Sequence, residues 1–371
     1  MKTLLRLLLK SQPQRNRSGS AQTEKGMTLV ELLVGSIMAF LIITPMIGFV
    51  VDMLNTDRRE QVKSNTEQDI QAAVDFIAQD LSQAIYIYDK RALDGPLGPN
   101  EQLVRPQLPQ DANGGQPILV FWKRQQLRNS LPINPTVANS VKPKQCETQN
   151  QKCNDTYVLS LVAYYQITTN NSSTWCQPAG GPCPSRIVRY EIRDGIDRVI
   201  DPSVPGGVTT YGTANTTLAQ QTDPAFNTST DSTPATSFNL NNPTVNVTNT
   251  AGLGSPQSGA QNPQVLVNYI DNSTANVPVP IGADCQAILG FVPPTVTPAG
   301  TPAFDPNHLL ITDGSTHSFY ACVDTSKNIA RVTIRGNSLR RLETPANYDP
   351  KKAAYFPTAS VQVQGLGARG K

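Results

Sequence analysis

Residues 26–51 read GMTLVELLVGSIMAFLIITPMIGFVV, and Glu31 is the only charged side chain among them. From Met27 to Val51 is 25 residues, and the part after Glu31 alone is 20. That is enough to cross a hydrocarbon core as an α-helix, which takes about 20 residues. A charge inside such a helix costs roughly 2.5–3.5 kcal/mol at the centre and less towards the edge. Two readings of Glu31 are open from the residues alone. It lies at the interface and reaches for headgroups, or it has a partner within the apolar phase.

The flank in front of this stretch carries Lys2, Arg6, Lys10, Arg15, Arg17 and Lys25 against one acid, Glu24. Positive charge on one flank keeps that end in the cytoplasm. A secretory signal would instead have a short apolar core followed by a small-residue cleavage site. Here Leu4, Leu5, Leu7, Leu8 and Leu9 are interrupted by Arg6, and no adequate core follows before Gly26.

The basic leader, then Gly26-Met27-Thr28-Leu29-Val30-Glu31-Leu32-Leu33, then the long apolar helix resembles the type III (prepilin) signal of the type IV pilin superfamily. The resemblance implies cleavage between Gly26 and Met27 by a prepilin peptidase, with N-methylation of the new amine at Met27. It also implies a subunit-assembly role for Glu31, whose carboxylate would pair with the N-terminal amine of a neighbouring subunit. Removing one partner of a buried ion pair costs about 3–5 kcal/mol. On that reading Glu31 is an assembly residue and not a catalytic one.

Charge agrees once the leader is set aside. Lys plus Arg falls from 31 to 25 and Asp plus Glu from 28 to 27, so the mildly basic balance belongs to the leader. It gives no support for nucleic-acid binding.

The helix is expected to continue beyond the apolar run. After Asp52 neither Gly nor Pro occurs until Gly95, and Val62, Ile70, Val74, Ile77, Leu81, Ile85 and Tyr88 recur mostly three or four apart. Such spacing predicts an amphipathic extension over 52–94, helical to about Asp89 and laid against a domain. A coiled-coil dimer is the competing reading of this half. Pro45 removes one backbone hydrogen bond and is expected to kink or loosen the apolar half.

Residues 96–117 form a Pro- and Gly-rich loop. Residues 118–122, 156–168, 186–193, 318–323, 329–336 and 359–364 read as strands, rich in β-branched and aromatic side chains. One long helix followed by antiparallel strands predicts an α+β fold with a head over 95–371. Within it, residues 203–263 are largely Ser, Thr, Asn, Gln, Gly and Pro, and 199–326 contain no Lys or Arg. This polar insertion has little apolar area to offset its ordering entropy. By contrast the last part of the chain is basic, from Lys327 and Arg331 to Lys371.

All six cysteines lie beyond the apolar helix, where an even count reads as disulfides. The pairing favoured is Cys146–Cys153 and Cys176–Cys183 as local clasps, with Cys285–Cys322 joining distant segments. A metal site is the rival, but neither CxxC nor a compact Cys/His set is present. Other chemistry is thin. His308 and His317, the only histidines, lie near Asp305 and Asp313 without the spacing of a calcium loop. No zinc-protease motif or nucleophile elbow occurs. The terminal match to GxxxxGK, Gly365 to Lys371, lacks the Ser/Thr and helix a phosphate loop needs. The expectation is a protein with no catalytic residues, cofactor or resident metal.

Residues 56–89, the run ILVFWKR at 118–124 and YFPTASVQVQG at 355–365 resemble the HpsC-like pseudopilins of cyanobacterial hormogonium polysaccharide secretion. The resemblance implies a pilin-like head packed on the long helix, and a minor pseudopilin supporting polysaccharide export and gliding. Implied partners are the prepilin peptidase, other pilins or pseudopilins and the inner-membrane assembly platform, with exported polysaccharide left open. The implied location is the inner membrane, single-pass, with the head periplasmic. A single-span anchored binding or adhesion protein that never polymerises is the alternative.

Overall fold

A computed structural model describes residues 28–95, 103–108, 115–132, 153–168, 174–193, 198–200, 208–210, 263–293 and 304–367. Contacts divide the chain into two compact units between Asp57 and Arg58.

The first helix, α1, runs from Leu29 to Ser82 without a break at Pro45. Over its first half every large apolar side chain is exposed, Leu29 by 83% and Phe49 by 72%. Two of its hydroxyls are satisfied within the helix. Ser36 donates to the Leu33 carbonyl and Thr44 to the Phe40 carbonyl, both at 2.8 Å. Such back-bonding lets hydroxyls enter an apolar phase without orphaned donors.

In the second unit the end of α1 buries Ile70, Ala73, Val74, Ile77 and Leu81, the stripe that three- and four-residue spacing predicts. The helix stops at Ser82, which corrects the expectation of helix to Asp89. Ala84–Ile87 is instead a strand, β1, followed by a short helix α2, Lys90–Asp94. The cause is the run Ile85-Tyr86-Ile87, whose branched and aromatic side chains suit a pleated surface. β1 pairs antiparallel with β2 (Gln116–Pro132), setting Tyr86 opposite Trp122 and Ile87 opposite Phe121. Tertiary pairing overrode a sequence free of helix breakers.

The remaining strands are β3 (Cys153–Ile167), β4 (Ser185–Arg193), β5 (Arg198–Ile200), β6 (Val208–Thr210), β7 (Gln264–Ile270), β8 (Leu310–Thr312), β9 (Phe319–Asp324), β10 (Ile329–Arg335) and β11 (Thr358–Gln364), with a helix α3 (Gly282–Leu289) before β8. They form a five-stranded sheet ordered β1-β2-β3-β4-β7, a four-stranded sheet ordered β11-β10-β9-β8 and the small β5–β6 pair. All pairings are antiparallel, so the layout is α+β. The polar insertion, apart from Val208–Thr210 and Pro263, lies outside the described residues.

One apolar core joins the α1 stripe to both sheets, with Trp122, Tyr164, Tyr165, Phe121 and Phe319 fully buried. The sheets are tied at Ile270 and Gly336, which form an isolated antiparallel bridge. Gly336 lies hard against α1: a Cβ there would sit 2.3 Å from Ile70 Cδ1 and 3.0 Å from Thr66 Cγ2. Gln166 of β3 adds polar links, donating to Thr316 Oγ1 at 2.8 Å and Ser318 Oγ at 2.9 Å.

Candidate functional site

Glu31 sits in the first turn of α1, where the unpaired N–H groups and the helix dipole favour a carboxylate. Thr28 caps this turn: its Oγ1 accepts the Glu31 N–H at 3.3 Å, and its carbonyl accepts the Leu32 N–H at 3.1 Å. The spacing Thr28-x-x-Glu31 has the form of a capping box. Beyond it, Leu32 to Val51 present apolar side chains around the whole circumference. A helix that is apolar all round and exposed suits an apolar surrounding. α1 is long and apolar enough to cross a membrane. Gly26 and Met27, the cleavage and methylation positions, lie outside the described residues.

The head contains a second acidic centre, which sequence reasoning missed. Asp80 lies in the last turn of α1, where the dipole disfavours negative charge, and it is buried. Cations from the sheet answer it. Lys123 Nζ of β2 lies 3.0 Å from Asp80 Oδ1, and Arg189 Nε of β4 lies 2.6 Å from Oδ2. Tyr164 of β3 donates its hydroxyl to Oδ2 at 2.7 Å. Glu191 closes the group, 3.3 Å from Lys123 and 2.9 Å from Arg189. Burial pulls the Asp80 pKa up, but the Arg189 hydrogen bond, the two cationic charges and the Tyr164 hydroxyl outweigh it and hold the carboxyl below its ordinary value. Two acids meet two bases, so the cluster is a lock between helix and sheet. Nearby, Trp122 Nε1 donates to Tyr88 Oη at 2.8 Å, and burial pushes that phenol up. A signal for Asp80 was available: position 80 falls three residues after Ile77, on the buried stripe.

The cysteines are placed in part. Cys176 and Cys183 form a disulfide, as do Cys285 and Cys322, the latter joining α3 to β9. The Cys146–Cys153 clasp falls on Cys146, outside the described residues. The 176–183 loop is further organised by Arg340, a buried cation that donates to the carbonyls of Pro178, Gly180 and Pro182 at 2.9–3.1 Å. No sequence pattern announced that contact.

The histidine region is a structural turn. Asp313 accepts the N–H groups of Ser315, Thr316 and His317 and the hydroxyls of Ser315 and Thr316. Burial raises its pKa, yet these donors, Thr316 first, hold it below its ordinary value. Asp305 caps the 3-10 turn Pro306–Leu309 through the Asn307 N–H, and His317 Nδ1 lies 3.0 Å from Thr312 Oγ1. Among the described residues no three His, Cys, Asp or Glu side chains converge as a metal site.

Comparison with family models, with curated proteins and with solved structures found no match.

Proposed function

We propose that this chain is a minor pseudopilin of a type IV pilus-like machine, one that assembles into or primes a short filament supporting polysaccharide secretion and gliding. Its head is pilin-like, faces the periplasm and has an assembly role in place of an enzymatic one. Processing by a prepilin peptidase removes residues 1–26, and the amine of Met27 is methylated. The observation carrying this reading is the coincidence of two features. The junction motif Gly26 to Glu31 stands immediately before an exposed, uncharged stretch of α1 that runs to Val51, and Glu31 is the one charge between Gly26 and Val51. Within a bundle of such helices, a neighbour's amine and Glu31 neutralise each other, and this pair fixes axial register as well as adding stability.

The test starts at the N-terminus. Mass spectrometry of the membrane-extracted chain should find it beginning at methylated Met27, and Gly26→Leu should leave the full-length form. Glu31→Gln should mature normally yet fail to co-purify with partner pilins. An intact leader, or normal partner recovery and export with Glu31→Gln, would overturn the assembly reading.

One observation favours a second reading. The Thr28–Glu31 turn gives the residue at 31 a local helix-starting role, which a plain single-span anchor with a binding head also needs. That protein would retain its leader and would not polymerise.

A further inference from the structure

The two large sheets have four edge strands, β1, β7, β8 and β11, and the fold treats them unequally. An edge strand offers a row of unpaired N–H and C=O groups to any passing strand unless it is shortened, charged, bulged or covered. β1 has four residues, and the carbonyls of Ala84 and Ile87 accept hydrogen bonds from Asn328 Nδ2 and Thr325 Oγ1, both at 3.0 Å. β7 is engaged at its end: Tyr269 O accepts the Asn337 N–H at 2.8 Å, and the Asp271 N–H donates to Arg335 O at 3.1 Å. β8 is three residues long. β11 has seven residues, no register shift and no charged side chain, and it is covered only just past its end, where Gly365 and Gly367 lie against the β1 backbone at Ala84 and Ile85.

Its register defines what is left open. β11 pairs antiparallel with β10 from Ile329–Gln364 to Arg335–Thr358 without a shift. Just beyond the two ends, Gly365 N–H donates to Asn328 O and Gly336 N–H to Pro357 O, both at 2.9 Å. Bonded pairs alternate along an antiparallel ladder. Ala359, Val361 and Val363 therefore exchange bonds with β10, and the backbone groups of Thr358, Ser360, Gln362 and Gln364 point outward. Among the described residues none of those outward groups bonds another part of the chain.

Two further observations say what belongs there. The inward-facing row on β10, Ala330, Val332 and Ile334, is 0% exposed, whereas Ala359, Val361 and Val363 on β11 are only half-buried. The core thus runs on past the last strand. No charged residue occurs from Ala353 to Ala368, and no Gly or Pro interrupts 358–364. A neutral edge with an unfinished apolar row fits an extended, uncharged segment that alternates branched apolar and polar side chains.

We infer that the outer edge of β11 is a strand-addition site for such a segment of a partner protein. Main-chain bonds through residues 358, 360, 362 and 364 supply the attachment, and the half-buried row selects apolar side chains at alternate positions. The inference rests on the head alone and is independent of the filament reading.

The test uses the full chain in detergent micelles and an acetylated, amidated heptapeptide, TVSVQVT, with TKSKQKT as its charged counterpart. TVSVQVT should bind saturably and slow amide exchange at 358, 360, 362 and 364 by at least about tenfold, while TKSKQKT should not. Gln362→Pro removes one outward donor without touching the ladder to β10. It should weaken binding at least about tenfold while leaving the melting curve unchanged. Should Gln362→Pro fail to fold, Ser360→Pro and the exchange pattern of the unaltered chain carry the test. The inference fails if TVSVQVT does not bind by about 1 mM, if protection falls outside 358–364, or if the proline variants bind equally. It fails also if protection of 358–364 rises with protein concentration alone, which would assign the edge to a second copy.

Discussion

The two ends of α1 solve the same problem in opposite ways. Each carries one carboxylate beside apolar neighbours, Glu31 in the first turn and Asp80 in the last. Asp80 stands at the unfavourable pole of the helix and is fully answered by its own fold, through Lys123, Arg189 and Tyr164. Glu31 stands at the favourable pole and, among the described residues, meets only local cap geometry, amid exposed apolar side chains. Charge satisfied inside a fold is a stability device. Charge left unanswered on an exposed apolar helix hands its pairing to whatever surrounds it.

The sharpest way to break this contrast is Asp80→Asn. It strands Lys123 and Arg189 against Glu191 alone, and the head should lose about 3–5 kcal/mol by denaturant unfolding. An effect below about 1 kcal/mol would mean that the cluster is not the lock described. Next comes a matched pair on the same helix. Ile77→Ala should cost about 2–5 kcal/mol, because Ile77 is 0% exposed in the core. Ile42→Ala, at a position 61% exposed, should leave head unfolding unchanged.

A smaller loss, about 1–3 kcal/mol, is expected for Gly336→Ala, whose new methyl must displace Ile70 and Thr66 in a packed interface. Calorimetry should find a lowered midpoint there. Acid sharpens the contrast further. The folded pKa of Asp80 is depressed, so its contribution is complete above the unfolded value of about 3.9 and is lost as pH falls from there through the lower folded value. Asp313 acts in the same direction. The head should therefore weaken progressively below about pH 4, and Asp80→Asn should flatten that limb. Smallest of all is Glu31→Gln, which should move head unfolding by less than about 0.5 kcal/mol.

Much of this architecture was legible where periodicity is long. The apolar run and the Ile70–Leu81 stripe forecast both halves of α1, and the six apolar runs fall on β2, β3, β4, β9, β10 and β11, three of them overrunning the strand by one residue. The end of α1 was not legible, because no Gly or Pro marks Ser82; the strand begins only because β2 lies ready to pair with it. β7 was missed beside the polar insertion, its seven residues offering little pattern on a sheet edge. The Asp80 cluster required partners from three strands, and a single helical stripe cannot name them. Arg340 belongs to the same class: its three carbonyl acceptors come from a loop 158 to 162 residues earlier in the chain. For Glu31 the sequence motif supplies the functional reading, and the structure adds its cap.

The packing of α1 against Gly336, and the ion pair between Asp69 and Arg341, 272 residues apart, have a consequence for how the molecule is made. Synthesis proceeds from the N-terminus, so the helix leaves the ribosome first and its cover leaves last. Until β10 has emerged, the stripe from Ile70 to Leu81 has sheet on only part of its surface, and the neighbouring segments wait with apolar rows unclosed. The head is finished by its final elements. A translation product that stops before β10 carries the whole stripe and lacks this closure, which makes it a natural client for chaperones and proteases.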